Sequence, residues 1–200
     1  MVKTLYLMRH GETLFNQLHK IQGWCDSPLT AVGFKQAEIA GNYFKKHRIF
    51  LEEAYCSTSE RACDTLEQVT TLPYQRIKGL REWHFGRFEG EGEFLNPPLP
   101  YSDFFVEYGG ESESQVRQRI ADTLQQLMEN AKGKNVLVVS HVGSCRQFMR
   151  YWQHNTSIDQ QEPLRNCCIL KFSFSDEGTF KLLQIINHDF TGLTGERSGQ

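Results

Sequence analysis

The run Asn135-Val136-Leu137-Val138-Val139 restricts the fold of this chain more than any other stretch. It is continuously apolar and mostly β-branched, whereas a strand with one face in water alternates polar and apolar residues. Such a run predicts a central parallel strand that helices cover on both sides. Around it, segments alternate in the order β-α-β-α-β-loop-α-β-α-β-β. This order predicts an α/β fold, a three-layer α/β/α sandwich with a mostly parallel central sheet.

Periodicity and turn residues set the expected bounds of these elements. The predicted strands cover residues 3–8, 53–57, 75–78, 135–139, 168–173 and 180–186. The predicted helices cover residues 30–47, 59–69, 112–131 and 142–153, and Ser114 is an alternative start of the third. We expect the last two strands to form a hairpin at a sheet edge. No repeat or linker divides the 200 residues, so we expect a single domain over residues 1–200, with a loosely ordered tail at 191–200.

Charge and composition narrow the function classes. The net charge is −2 and no basic stripe occurs, which argues against a nucleic-acid partner. No apolar stretch is long enough to span a bilayer, and the N-terminal run lacks the cleavage site of a signal peptide. We therefore expect a cytoplasmic protein without a membrane partner. The six cysteines are scattered without a CxxC pair, so we expect neither disulfides nor a zinc site.

Residues 79–110 break the alternation of strands and helices. They are rich in glycine, proline and aromatic residues, which makes them too aromatic for a disordered linker and too interrupted for regular structure. Long loops of this kind in compact domains are usually functional. We interpret the segment as an aromatic lid or insertion loop, with an aromatic-packed surface excursion as the alternative. It is called the lid segment below.

Two predicted strands end in the same way. The first ends in Arg9-His10-Gly11, and the central one ends in Ser140-His141-Val142-Gly143. Because the carboxyl ends of parallel strands meet at one edge of a sheet, we expect the two imidazoles to converge there. Each histidine alone would be an ordinary loop residue, but the pair predicts a functional site.

The residues around the two histidines indicate phosphoryl transfer. Arg61 opens a helix and can join Arg9 as a clamp for a dianion, because guanidinium groups match phosphate oxygens. A neutral imidazole can attack phosphorus and give a phosphohistidine. Glu82, at the start of the lid segment, is the expected proton donor, and Glu89 is its rival. No P-loop and no aspartate cluster for Mg²⁺ occurs, so we expect neither a metal nor a cofactor.

Four motifs in this order resemble the histidine phosphatase superfamily, in its phosphoglycerate-mutase-like branch (branch 1). The resemblance spans the chain from Leu5 to about Gln153. The motifs are Arg9-His10-Gly11-Glu12-Thr13 with Asn16 and Gln22-Gly23-Trp24, then Ser57-Thr58-Ser59-Glu60-Arg61-Ala62, then Leu80-Arg81-Glu82, then Ser140-His141-Val142-Gly143.

The resemblance implies a role for each matching residue. It implies that His10 is the phosphorylated nucleophile and Glu82 the proton donor. It further implies that Arg9, Arg61 and His141 bind the phosphoryl group. The implied substrate-binding residues are Asn16, Gln22, Gly23, Ser57 and Val142, with Ser57 helping to orient His10.

The lid segment bears on the choice between the two activities of this branch. A mutase needs a second basic subsite, but residues 89–113 carry several carboxylates and no Lys or Arg. We therefore predict a phosphomonoesterase that hydrolyses a small phosphorylated metabolite with an uncharged or apolar remainder. A cofactor-dependent phosphoglycerate mutase and a non-catalytic phospho-ligand-binding module are the alternatives. The substrate stays open, and so does the choice between a monomer and a homodimer.

Overall fold

The computed structural model describes residues 2–193 and contains one six-stranded sheet with helices on both sides. The strands are β1 (Lys3–Arg9), β2 (Glu53–Ser57), β3 (Tyr74–Ile77), β4 (Asn135–Ser140), β5 (Ile169–Phe174) and β6 (Phe180–Ile186). The helices are α1 (Leu14–Gln17), α2 (Ala31–Lys46), α3 (Glu60–Val69), α4 (Glu113–Asn130) and α5 (Val142–Tyr151). The expected tail falls mostly on residues 194–200, which lie outside the described part.

The sheet has the strand order β3-β2-β4-β1-β5-β6. The first four of these strands run parallel, and β5 and β6 form the antiparallel hairpin at one edge. This confirms the mostly parallel sheet and the terminal hairpin. β1 pairs with β4 so that Arg9 lies opposite Ser140. The residues that follow, His10 and His141, therefore leave the sheet side by side.

The central strand β4 packs against helices on both faces. Val136 and Val138 belong to the apolar cluster that contains α4 and α5 residues. Leu137 and Val139 belong to the cluster that contains α2 and α3 residues. All four side chains are fully buried. Each face of the strand therefore stabilises a different helical layer, and the three-layer sandwich is confirmed.

Capping residues set the starts of the two longest helices. Thr30 accepts a hydrogen bond from the N–H of Gly33 at the start of α2. Ser112 and Gln115 form a capping box at the start of α4. Such caps satisfy amides that would otherwise lack a partner, and each stabilises its helix by about 1 kcal/mol. The short helix α1 was not predicted, because four residues carry no periodic signal.

The lid segment packs through its own aromatic residues. It consists of short 3₁₀ turns rather than long helices or strands. Trp83 and Phe105 are buried and form a small third cluster with Val116 of α4. Phe85, Phe88 and Tyr101 pack against this cluster. The segment therefore has an apolar core of its own, which packs against α4 through Val116.

Candidate active site

His10 and His141 lie together at the carboxyl ends of β1 and β4. Their ring centroids are 5.3 Å apart, with an angle of 61° between the ring planes. Both side chains are buried, His10 with 4% and His141 with 0% exposure. The pairing of Arg9 with Ser140 in the sheet fixes this placement, because it is made by backbone hydrogen bonds.

The hydrogen bonds of His10 identify its tautomer. Its Nδ1 lies 2.7 Å from the carbonyl oxygen of Gly11. A carbonyl can only accept, so Nδ1 carries the hydrogen and Nε2 carries the lone pair. Burial, and then the positive charges of Arg61 and Arg9, hold the pKa of His10 well below its usual value. His10 is therefore a neutral imidazole with an unprotonated Nε2, the form that can act as a nucleophile.

His141 has the opposite tautomer. Nε of Arg61 donates a hydrogen bond to its Nδ1 at 3.2 Å, and an arginine can only donate. The hydrogen of His141 therefore sits on Nε2, which is buried and has no partner among the described residues. Burial, and then the charge of Arg61, lower the pKa of His141 well below its usual value. Its Nε2–H is thus a neutral donor that still lacks an acceptor.

Arg61 is fully buried and connects His141 to the loop before α2. Its Nη1 donates to Oδ1 of Asp26 at 2.7 Å and to the carbonyl of Cys25 at 2.9 Å. Its Nη2 donates to the carbonyl of Gly23 at 2.8 Å. Four of the five N–H groups of an arginine are then in use. In this structure Arg61 holds its neighbours in place and is not among the cavity-lining residues.

Arg9 lies on the other side of His10. Its Nη1 donates to the carbonyl of Leu164 at 2.8 Å. Its Nε is buried and has no partner among the described residues. Nε of Arg9 and Nε2 of His141 are therefore two buried donors without an acceptor, on two residues that flank His10. Buried donors are nearly always paired in native proteins, so this pair predicts an anionic ligand.

Glu82 is buried at the start of α5. Its Oε1 accepts hydrogen bonds from the N–H groups of Trp83 and Ser144 at 2.8 and 2.9 Å, and its Oε2 from that of Gly143 at 2.8 Å. A Cβ atom on Gly143 would lie 2.5 Å from Oε1 of Glu82. Only glycine at position 143 allows the carboxyl group to approach the helix this closely.

Glu89, the rival carboxylate, has a different position. It accepts hydrogen bonds from four backbone N–H groups, those of Gly23, Trp24, Cys25 and Phe85. It thereby ties the loop before α2 to the lid segment, and it is not among the cavity-lining residues. Of these two carboxyl groups, Glu82 is the one that lines the cavity beside His10.

A cavity of about 280 Å³ opens beside His10. Arg9, His10 and Glu82 line one end, and Asn16, Gln22 and Val142 also line it. The lid segment contributes Trp83, Phe85, Glu93, Asn96, Leu99 and Tyr101. The lid segment thus covers part of the cavity, and its aromatic side chains give that wall an apolar surface.

Gly23, Ser57 and His141 are not among the residues that line the cavity. The N–H of Gly23 donates to Glu89, and its carbonyl accepts from Arg61. The hydroxyl of Ser57 lies 3.5 Å from that of Ser59. The His10 imidazole forms its hydrogen bond with the carbonyl of Gly11, so the neighbouring residue rather than Ser57 orients the ring.

Three cations that the sequence reasoning missed also line the cavity. They are Lys20, Arg146 and Arg150. Residues 89–113 contain no Lys or Arg. The loop after α1 contributes Lys20 to the cavity, and α5 contributes Arg146 and Arg150. A signal for two of them was present, because Val142, Arg146 and Arg150 are four residues apart and therefore share one face of a helix.

Among residues 2–193, no group of His, Cys, Asp or Glu could hold a metal ion. No helix in that range is long and apolar enough to cross a membrane.

Comparison with known proteins places this arrangement in a family. A sequence model of the histidine phosphatase superfamily (branch 1) matches residues 5–187. A metal-independent phosphoserine phosphatase of Arabidopsis thaliana is 35% identical over 78% of this chain and 71% of its own length. A 2,3-bisphosphoglycerate-dependent phosphoglycerate mutase of Hamiltonella defensa is 26% identical over 98% of this chain and 94% of its own length. The solved structure of phosphoglycerate mutase from Bacillus anthracis superposes with a TM-score of 0.79 at 28% identity, covering 92% of each chain.

Proposed function

Because the chain belongs to the histidine phosphatase superfamily (branch 1), we propose that it hydrolyses a small phosphomonoester through a phosphohistidine on His10. The observation that carries this proposal is the opposite tautomers of the two imidazoles. His10 offers a lone pair on Nε2, and His141 offers a hydrogen on Nε2. One ring can attack a phosphoryl group while the other holds its oxygens.

In the first step, Nε2 of His10 attacks phosphorus and the bond from phosphorus to the ester oxygen breaks. The carboxyl group of Glu82, in its acid form, donates its proton to the leaving alkoxide. Nε of Arg9 and Nε2–H of His141 hold the phosphoryl oxygens. These two donors have no other partner among the described residues, so the oxygens of a phosphoryl group would complete their hydrogen bonds.

In the second step, a water molecule attacks the phosphohistidine. The carboxylate of Glu82 takes a proton from this water, and the bond between phosphorus and Nε2 of His10 breaks. Inorganic phosphate leaves, and His10 and Glu82 return to their starting forms. Side chains of the protein fill every role, so we propose that catalysis needs no added metal. Six free cysteine thiols are consistent with action in a reducing cytoplasm.

A mutase activity is the second candidate, and one observation favours it. Lys20, Arg146 and Arg150 give the cavity the basic residues that the lid segment lacks. Such a subsite could hold the second phosphate of a bisphosphorylated intermediate. Interconversion of phosphoglycerates that depends on added 2,3-bisphosphoglycerate would select the mutase over the phosphatase.

The proposal is tested with p-nitrophenyl phosphate in the presence of a chelator. We expect turnover by the wild type and an acid-labile phosphorylated enzyme in a quenched reaction. His10→Ala should abolish both, and His47→Ala, at an exposed position of the chain, should leave both unchanged. Turnover only with added metal would contradict the mechanism. Phosphate binding without turnover of any ester would instead favour the binding module.

A further inference from the structure

Residues 81–85, which include Glu82, lie between two short 3₁₀ turns and belong to no helix or strand. Side chains therefore take up backbone groups that a sheet or a helix would otherwise pair. The N–H of Trp83 donates to the carboxylate of Glu82 itself, and the N–H of His84 donates to Oε2 of Glu111. The position of the expected proton donor thus depends on contacts with side chains, which single substitutions can remove.

Arg119, a residue of α4, binds three carbonyl groups around Glu82. Its Nη1 donates to the carbonyl of Gly79 at 3.0 Å and to that of Arg81 at 2.8 Å. Its Nη2 donates to the carbonyl of Glu82 at 3.1 Å. The carbonyls of Arg81 and Glu82 belong to the two peptide groups that flank the Cα atom of Glu82. Arg119 therefore restrains the backbone on both sides of the residue that carries the carboxyl group.

Glu111 binds the other side of the same guanidinium. Its Oε1 accepts from Nε of Arg119 at 2.8 Å and its Oε2 from Nη2 at 2.7 Å, so all five N–H groups of Arg119 have an acceptor. Both side chains are mostly buried, with 21% exposure for Arg119 and 18% for Glu111. The carbonyl of Glu111 also accepts from Nε1 of Trp83 at 2.7 Å. The carboxylate balances the charge of the arginine, so the pair holds this part of the chain without adding a net charge beside Glu82.

We propose that Arg119 and Glu111 are positioning residues, which hold the carboxyl group of Glu82 where it can reach the leaving oxygen. This inference rests on the proposed function, in which Glu82 donates a proton to the leaving alkoxide. Neither Arg119 nor Glu111 is among the cavity-lining residues, whereas Glu82 is, so the pair acts on the reaction through Glu82. Nε1 of Trp24 also donates to the carbonyl of Glu82, and the hydroxyl of Ser144 donates to that of Arg81. Loss of the Arg119 contacts should therefore displace the carboxyl group without unfolding the segment.

The test compares p-nitrophenyl phosphate with propyl phosphate. p-Nitrophenolate leaves without a proton and propoxide does not, so the ratio of kcat/KM for the aryl ester to that for the alkyl ester measures proton donation. Arg119→Lys keeps the positive charge but loses the planar fork. We expect it to raise this ratio about 10- to 100-fold, because a misplacement of about 1 Å slows a catalytic step by up to that much. Glu111→Gln should raise the ratio as well, since an amide offers only one oxygen to the fork.

A double variant separates positioning from a general loss of structure. Partial unfolding lowers kcat/KM for both esters by the same factor and leaves the ratio unchanged. If Arg119 acts through Glu82, Arg119→Lys should not change the ratio further in a protein that already carries Glu82→Gln. The inference would be overturned by a wild-type ratio in Arg119→Lys, or by independent effects of the two substitutions in the double variant.

Arg117→Lys is the matched control. Arg117 lies two residues before Arg119 on the same helix and also binds a glutamate, Glu113. Its hydrogen bonds go to Glu113 and to Gln147 rather than to residues 81–85. Gln147 lines the cavity, so the rates for both esters can change together, but the ratio should keep its wild-type value. A ratio that rises as much as in Arg119→Lys would assign the effect to α4 as a whole and contradict the inference.

The two proposals fail in different ways. If Glu82→Gln raises the ratio and Arg119→Lys does not, the phosphatase mechanism stands and the positioning role fails. If Glu82→Gln leaves the ratio unchanged, or no ester is turned over, the proposed function fails. The amides of Gly143 and Ser144, which donate to the Glu82 carboxyl group, then report its position without turnover. Their ¹H and ¹⁵N shifts should change in Arg119→Lys as in Glu82→Gln, and unchanged shifts would overturn the inference.

Discussion

Nε of Arg61 donates a hydrogen bond to Nδ1 of His141 at 3.2 Å, and this contact determines which nitrogen of His141 carries the hydrogen. The same guanidinium holds Asp26 and the carbonyls of Gly23 and Cys25. Arg61 therefore prepares a donor for the phosphoryl group without lining the cavity itself. The tautomer of His141 depends on a residue 80 positions away in the sequence.

Arg61→Lys should lower kcat/KM for p-nitrophenyl phosphate on the order of 10²-fold, the usual loss when one preorganised donor is removed. A lysine cannot supply the fork that binds Asp26 and the two carbonyls, so His141 loses its fixed tautomer. The ¹⁵N chemical shifts of the His141 ring should then report a mixture of tautomers. Arg76→Lys is the control. Arg76 is a more exposed arginine on β3, and it pairs with Glu60, the neighbour of Arg61 on α3. Unchanged shifts in Arg61→Lys would contradict this role.

Stability should fall as the pH drops below about 6.5. The pKa values of His10 and His141 are lowered in the folded state, so at pH 5 to 6 the unfolded chain binds protons that the folded chain does not. Unfolding is then favoured by up to about 1.4 kcal/mol per pH unit for each histidine. The contribution of the two histidines to the free energy of unfolding is fully present above pH 6.5 and is lost as the pH falls. A plot of Tm against pH should be flatter for the double variant His10→Asn, His141→Asn. An equally steep plot would show that other titratable groups cause the pH dependence of Tm.

Gly143→Ala should reduce activity without unfolding the protein. The new Cβ would lie 2.5 Å from Oε1 of Glu82, at the far end of a flexible side chain that can move away. The carboxyl group would then leave its place beside His10, and we expect kcat to fall about 10- to 100-fold. The helix itself favours alanine over glycine by about 1 kcal/mol. Circular dichroism and Tm should therefore match or exceed the wild type. A large drop in Tm would mean that the backbone had moved instead.

Glu82→Gln and Glu89→Gln should differ in how they depend on the leaving group. An alkoxide needs a proton to leave, whereas p-nitrophenolate does not, so Glu82→Gln should slow alkyl esters about 10² to 10⁴-fold and p-nitrophenyl phosphate much less. Glu89→Gln should lower stability by about 1–3 kcal/mol, because its amide cannot accept all four N–H groups. Its rate loss should be similar for both esters. Rates for the two esters and urea unfolding curves decide between the two carboxyl groups.

The sequence could predict the sheet and the two imidazoles because these depend on local patterns. β4 is a continuous apolar run, and His10 and His141 directly follow recognisable strands. Parallel pairing then brings the strand ends together without any further information. The bounds of the long helices followed in the same way from their capping residues, as Thr30 and Ser112 show.

The remaining features depend on contacts that no local pattern records. The sequence suggested Arg61 as part of a phosphate clamp, but its hydrogen bonds reach residues 35 to 80 positions away. Ser57 and Gly23 lie near the site in the chain, yet their hydrogen bonds go to other partners. The acidic lid segment suggested that the cavity lacks a second basic subsite, but the lid segment forms only one of its walls. α5 forms another wall and contributes Arg146 and Arg150.

Val142, Arg146 and Arg150 lie at regular intervals along α5 where it lines the cavity. An α-helix rises 1.5 Å per residue, so the backbone positions of Val142 and Arg146 are about 6 Å apart along its axis. The side chains can shift, but the spacing of these backbone positions along the cavity is constant. Esters whose charged groups are too close or too far apart would contact only one end. We therefore expect the length of an ester, as well as its charge, to affect how well it binds.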